Sequence, residues 1–337
     1  MNILLENVRN SPVDLAEEEG CNVEISGNFR HYAVNTIYVL IAITLINSSA
    51  LAVHPGRNGR IAFVSSLTGT NQLYTVNPDG SDLFQVTNLP PANDGLAWFP
   101  DFSPDGQRIA FAHDMTGLLE LYVINTDGSG LTQITHGGGL VPRWSPDGSH
   151  LVFSRPVDIS PLFPGFGVGV IATIKADGTD EKLISSRVWD SLDGEYTPDG
   201  KHIIFETQTD GYLAALWIMN TDGSHQRRLT ASELESGYPD ISPNGKQIIF
   251  YNNQNTPKLN SIFKANIDGT EPTRLTAPGH EDTLAAYSPD GSKILFMSDR
   301  ESPGGFDIWM MDADGSNQKL LIKDAGTPNW GPKPQDR

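Results

Sequence analysis

Cysteine is almost missing: among 337 residues the sole thiol is Cys21, close to the N-terminus. One cysteine makes neither a disulfide framework nor a cysteine-based zinc site. Cys21 sits in a polar stretch without a neighbour to activate it, and reads as inert. Basic residues are scarce as well, with 23 Lys and Arg against 41 Asp and Glu and a formal charge of −18. That balance excludes nucleic acid, whose phosphates are bound by Lys and Arg that displace counterions, and it disfavours anionic lipid surfaces. The G-x-S-x-G elbow of serine hydrolases is absent. Helical periodicity is absent too once the leader is passed.

A single long apolar run is present, AVNTIYVLIAITLIN, at residues 33–47. Arg30 and His31 precede it and SSALA follows, the order of an export signal with cleavage after Ala52. The run falls short of the roughly 20 residues of a membrane span, so no stable span is expected after cleavage. The segment ahead of it is long for a signal and carries Asp14, Glu17, Glu18, Glu19 and Glu24. A start codon assigned too early and an uncleaved anchor both account for that departure. The expected division is a leader, 1–52, and a single domain, 53–337.

What fills that domain is one phrase repeated. FSPDGQRIAFAH from Phe102 returns as WSPDGSHLVFSR from Trp144, YTPDGKHIIFET from Tyr196, ISPNGKQIIFYN from Ile241 and YSPDGSKILFMS from Tyr287. Ser or Thr, Pro, Asp and Gly in this order make a tight turn, so each phrase is a hairpin. A second turn has its glycine at 80, 128, 178, 223, 269 and 315, each followed within a few residues by an apolar residue and usually Thr. A unit thus holds four short strands: A, the SPDG turn, B, a variable loop, C, the DG turn and D. Short strands at a 40–50-residue period mean propeller blades. The first unit opens on strand B at Arg60, with no strand A before it. After the last unit, Pro328-Asn329-Trp330 matches the missing strand. The expectation is an all-β, six-bladed propeller of four-stranded antiparallel blades, closed by a C-terminal strand that completes blade 1. Closure removes an unpaired edge that would template aggregation.

These motifs resemble the TolB family, whose repeats follow P-x-W-S-P-D-G…I-A-F-x-S…D-G…L-T, over about residues 58–331. The resemblance implies an exported binding module, periplasmic or secreted, with a protein or peptide partner in the cell envelope. TolB itself belongs to the Tol–Pal envelope system and meets a peptidoglycan-associated lipoprotein through its propeller. An α/β domain precedes the propeller there. Here the repeats begin within about eight residues of Ala52, so a propeller alone is expected. Similar repeats occur in prolyl-oligopeptidase-like and tricorn-like proteases and in oligogalacturonate lyases.

The turn aspartates, Asp105, Asp147, Asp199 and Asp290 in the first turn and Asp79, Asp127, Asp177, Asp222, Asp268 and Asp314 in the second, each sit in a different hairpin and read as turn formers rather than a metal array. No metal, cofactor or catalytic residue is assigned. The variable loops lie on the opposite face, where a propeller carries its function. The longest runs from Arg155 to Gly169 and displays Ile159, Leu162, Phe163 and Phe166, an apolar group suited to a partner. Candidate contacts on this face are Arg155, Phe163, Phe166, Tyr212, Glu233, Glu235 and Arg300. The residue before the strand-A aromatic is expected near the central channel: Asp101, Arg143, Glu195, Asp240, Ala286 and Asn329. These either take a cation or basic peptide, or hold one another in an Asp101–Arg143 pair between blades, the plainer reading. Two functions are open. The first is a non-enzymatic, protein-binding scaffold. The alternative is a carbohydrate-active enzyme, resembling oligogalacturonate lyases, with Glu195, Asp240, His113 and His136 at the channel mouth.

Overall fold

The computed structural model describes residues 56–90, 98–157, 168–185, 190–208, 213–231, 235–253, 259–302 and 304–334. The leader, Phe163, Phe166, Tyr212 and Glu233 lie outside them. By contacts the chain divides between residues 50 and 51, and the second unit, Leu51–Arg337, holds all of the described strands.

Blade 1 takes β1 (Asn58–Ser65), β2 (Gln72–Val76) and β3 (Phe84–Gln85). Blade 2 is β4 (Asp101–Phe102), β5 (Arg108–His113), β6 (Glu120–Asn125) and β7 (Thr132–Gln133). Blade 3 is β8 (Leu140–Trp144), β9 (His150–Val157), β10 (Val168–Lys175) and β11 (Lys182–Leu183). Blade 4 holds β12 (Ser191–Tyr196), β13 (His202–Thr207), β14 (Ala215–Asn220) and β15 (Arg227–Arg228). Blade 5 holds β16 (Ser236–Ile241), β17 (Gln247–Asn252), β18 (Ser261–Asn266) and β19 (Thr273–Arg274). Blade 6 holds β20 (Asp282–Tyr287), β21 (Lys293–Ser298), β22 (Asp307–Asp312) and β23 (Lys319–Ile322). The last strand, β24 (Ala325–Pro332), returns to blade 1 and pairs antiparallel with β1, Asn329 opposite Ala62 and Trp330 opposite Ile61. The architecture is therefore the expected one: six four-stranded antiparallel sheets, with the C-terminal strand closing the first. Each inner strand touches the next around the ring, β24 against β4 included.

Each turn is built by its own side chains. Ser103 donates its hydroxyl to Asp105 at 2.6 Å, the Gln107 amide donates to the same carboxylate at 3.1 Å, and Gly106 takes φ 67°. The turns of Asp147, Asp199 and Asp290 repeat this chemistry. In the second turns such hydrogen bonds hold the carboxylates ionised below their usual range, as the Ser81 hydroxyl does for Asp79. The aspartates are thus used within their hairpins. Strand D is shorter than its Leu-Thr signature: the ladder stops at Gln85 or Arg228, and the threonine hydroxyl beyond it bonds back. The amides of Leu73, Leu121, Leu216 and Ile262 donate to Thr87, Thr135, Thr230 and Thr276 at 2.9–3.0 Å.

The core lies between blades, where the apolar residues of strands B and C face the neighbouring inner strand. Phe63, Phe111, Phe153, Phe205 and Phe296 are buried almost completely at one equivalent position. Among the described residues, no helix is long and apolar enough to cross a membrane.

Candidate functional site

The channel is shaped by a bulge that recurs in the inner strands. Pairing slips between Leu140 and Arg143, Leu192 and Glu195, Gly237 and Asp240, and Thr283 and Ala286. Two residues ahead of each channel position the backbone turns left-handed: Phe99 (φ 38°), Val141 (49°), Asp193 (53°), Tyr238 (48°), Leu284 (47°) and Thr327 (48°). Bulky and β-branched residues rarely adopt this conformation, and a bulge serves to re-aim side chains. Here it delivers two layers to the axis, the bulge residues themselves and the channel residues below.

The lower layer joins the blades. The backbone amides of Phe102, Trp144 and Tyr287 donate to Asn329 Oδ1 (3.1 Å), Asp101 Oδ2 (2.8 Å) and Asp240 Oδ2 (2.7 Å) of the preceding blade. Asn329 Nδ2 also donates to Asp101 at 2.9 Å. Asp or Asn at this position therefore links one blade to the next. The ion pair differs from the expected one. Arg143 Nε meets Glu195 at 3.0 Å, while the two Asp101 oxygens accept from Trp144 and Asn329. Asp101 still acts on Arg143 through space: burial pulls the guanidinium down, but Asp101, Glu195 and Asp240 more than offset it.

Burial raises the carboxyls of this layer. Asp240 is pushed up to about 7, against the pull of the Tyr287 amide and Arg143, and Glu195 rises well above its usual range despite its ion pair. Beside them stands a pair that sequence reasoning missed. Asp193, on the blade 4 bulge, hydrogen-bonds Glu206 of β13; burial raises Asp193 to about 7 and lifts Glu206 well above its usual range, the neighbouring carboxylate adding to the effect on Glu206. Gly237 makes room for it, since a Cβ there would lie 2.0 Å from Glu206 Oε2 and 2.5 Å from the Tyr251 hydroxyl. Glu206 is an acid where the other strands B carry Val64, Ala112, Ser154, Tyr251 and Met297, and that departure is the signal that could have found it.

The upper layer closes the axis. Phe99 of blade 2 and Tyr238 of the opposite blade 5 stack with ring centres 5.9 Å apart and planes at 20°, and Tyr251 backs Tyr238 at 5.7 Å. The space left among Phe99, Arg143, Tyr238, Leu284 and Thr327 is ≈ 10 Å³, about one water.

The rim candidates within the described residues are engaged. Arg155 donates to the Gly138 carbonyl and pairs with Glu181 at 3.1 Å. Arg300 clasps the buried Asp282 with one nitrogen, at 2.7 and 2.9 Å, and stacks over Trp309 at 4.7 Å. Glu235 accepts from Asn253 Nδ2 at 3.1 Å. The histidines are spent locally. His113 is buried edge-on against Trp98 and accepts from the Met115 amide at 2.9 Å, and His136 faces Gln133 at 3.2 Å.

The family model of the TolB beta propeller domain matches residues 88–259. The chain belongs to that family. A stretch of 107 residues is 27% identical to an uncharacterized protein of Agrobacterium fabrum, covering 32% of this chain and 33% of that relative. The chain thus matches only a third of that relative's length. TolB from Acinetobacter baumannii superposes with a TM-score of 0.68 at 21% identity, over 91% of this propeller chain and 74% of that one. A protein of Agrobacterium tumefaciens described as TolB gives 0.61 at 22% identity, over 82% and 91% of the two chains. The hydrazine synthase of Kuenenia stuttgartiensis gives 0.64 at 15% identity, over 83% and 48%. Below 25% identity these likenesses establish the shared TolB-type fold.

Proposed function

We propose that this TolB-family propeller is an exported, non-enzymatic scaffold that binds a protein or peptide in the cell envelope through its loop face. One observation carries the reading: the ring-lined mouth leaves ≈ 10 Å³ on the axis, while the buried acids below it bond blade to blade. Such a channel serves as a rigid hub. Among the described residues that axial space is too small for a saccharide, and the histidines of the enzymatic alternative are engaged by Trp98, Met115 and Gln133. Recognition then falls to the loops that the hub pre-organises, foremost the run from Arg155 to Gly169 with Phe163 and Phe166. The seven rim residues named from the sequence remain the proposed contacts, Arg155, Glu235 and Arg300 bracing the loops as well as facing the partner.

The tagged full chain is expressed in its source cell and captured from the envelope fraction. Capture of one protein by the wild type, lost on Phe163→Ala with Phe166→Ala, is the expected result. An empty capture together with turnover of an acidic polysaccharide would overturn it. The export step has its own check. Mass spectrometry is expected to show a mature protein beginning at Val53; a chain still carrying residues 33–47 would contradict cleavage.

A further inference from the structure

The turn face, remote from the proposed partner loops, opens a cavity of ≈ 600 Å³ between blades 4 and 5. Its apolar lining is Pro198, Ile218, Met219, Pro243 and Ile267. One residue of the repeat differs at this seam. Five inner strands carry a ring at the position before the turn, Phe102, Trp144, Tyr196, Tyr287 and Trp330, and the blade 5 strand carries Ile241. At the blade 2–3 seam the Arg108 guanidinium lies over the Trp144 ring at 4.6 Å. At the blade 4–5 seam the corresponding residues are His202 and Ile241, and His202 lines open space instead.

The same seam departs from the acidic pattern of this face. Asn244 stands where four other turns carry Asp105, Asp147, Asp199 and Asp290, so one negative charge is missing at the cavity wall. The neighbouring Asp199 is occupied by the Thr197 hydroxyl at 2.6 Å and the Lys201 amide at 3.1 Å. Arg227, on the same wall, is exposed and forms no salt bridge among the described residues. His225 is held by a contact the other blades lack. In the five other second turns the Ser or Thr hydroxyl donates to the turn aspartate at 2.6 Å. In blade 4 the Ser224 hydroxyl, which also hydrogen-bonds Asp222, lies 3.0 Å from His225 Nδ1, as does Asn220 Nδ2. With the Asn220 amide donating, Nδ1 is an acceptor and Nε2 carries the proton. A partly apolar space is thus walled by two donors, Arg227 and His225, where the repeat's carboxylate is replaced by an amide.

We propose that this cavity binds an aromatic ring bearing a carboxylate, the ring lying against Pro198, Ile218, Pro243 and Ile267 and the carboxylate facing Arg227 and His225. Its size is that of ligand pockets generally, about 300–1,000 Å³. A free aryl acid and a chain ending in an aromatic residue share this chemistry. The test is calorimetric titration of the full chain with 3-phenylpropionate, with a pentapeptide ending in Phe, and with the same peptide amidated. Saturable binding of at least one acid is expected, with the amide weaker by about ten-fold, the size of one lost charge-assisted hydrogen bond. Comparable affinities for the two acids identify a free aryl acid as sufficient; a much tighter peptide identifies a chain terminus. Arg227→Ala, at an exposed site, weakens binding by a similar factor, and Ile267→Glu, which puts a like charge in the apolar wall, abolishes it. The proposal fails if neither acid binds at millimolar concentration, if the amide binds equally well, or if Ile267→Glu and Arg227→Ala leave binding unchanged.

Discussion

Asp193 is a carboxyl in a left-handed bulge, buried beside a second carboxyl, and its titration runs opposite to that of most acids. In the unfolded chain it loses its proton near 3.8, and in the folded protein only near 7. Between those values the native state holds a proton that the unfolded state has released, so stability falls as pH rises from about 4 to 7 and levels off above. Asp240 adds a fall in the same window. The turn aspartates, held below their usual range, contribute in the other direction and only below about pH 4. Asp193→Asn keeps the shape and suits a left-handed backbone while removing the titration. Thermal denaturation is expected to show the wild type losing stability from pH 4 to 7, and the variant losing less by on the order of 2–4 kcal/mol. Identical slopes would contradict the raised titration of Asp193. Nothing adjacent in sequence marks this pair. Asp193 and Glu206 lie on separate strands, and their meeting depends on a glycine, Gly237, in the next blade.

At the scale of turns and strands, the sequence was at its most legible. SPDG and DG announce hairpins because the side chains of Ser and Asp and the left-handed glycine make the turn without outside help. The second turns do more than reverse the chain. Gly223, at φ 86°, packs against the blade before it, where a Cβ would fall 2.1 Å from the Ile184 carbonyl oxygen. Gly223→Ala therefore meets both a forbidden conformation and a clash, and a loss of more than about 1 kcal/mol is expected in urea unfolding. The equivalent change at Gly80, which meets nothing within 4 Å, costs only the backbone strain. Equal losses would show that blade contact adds nothing. The inner-strand bulges were not legible, because Phe99, Val141, Tyr238, Leu284 and Thr327 are residue types that avoid positive φ. Tertiary closure around the axis imposes that conformation against local preference. The absent ring of blade 5 was visible in ISPNGKQIIFYN, but its consequence depends on what His202 and Ile218 face across the seam.

Over the whole molecule, closure rests on β24, which carries Asn329 into the channel and Trp330 into the core. Trp330 is buried, and its indole N–H donates to the Gly59 carbonyl at 3.2 Å. Trp330→Ala is expected to cost about 3–5 kcal/mol, as for buried aromatics generally, measurable by chemical denaturation. A loss below about 1 kcal/mol would mean that the ring holds without this strand. The blade-to-blade bonds of Asn329, Asp101 and Asp240 make the channel a hub, and the proposed recognition lies on the loops around it. The most direct test is partner capture by three full-length proteins side by side: wild type, Asp240→Asn in the hub, and Phe163→Ala with Phe166→Ala on the rim. The wild type and the hub variant are expected to retain the same partner while the rim variant loses it. Loss by the hub variant, with retention by the rim variant, would place binding in the channel and contradict a scaffold that works through its loops.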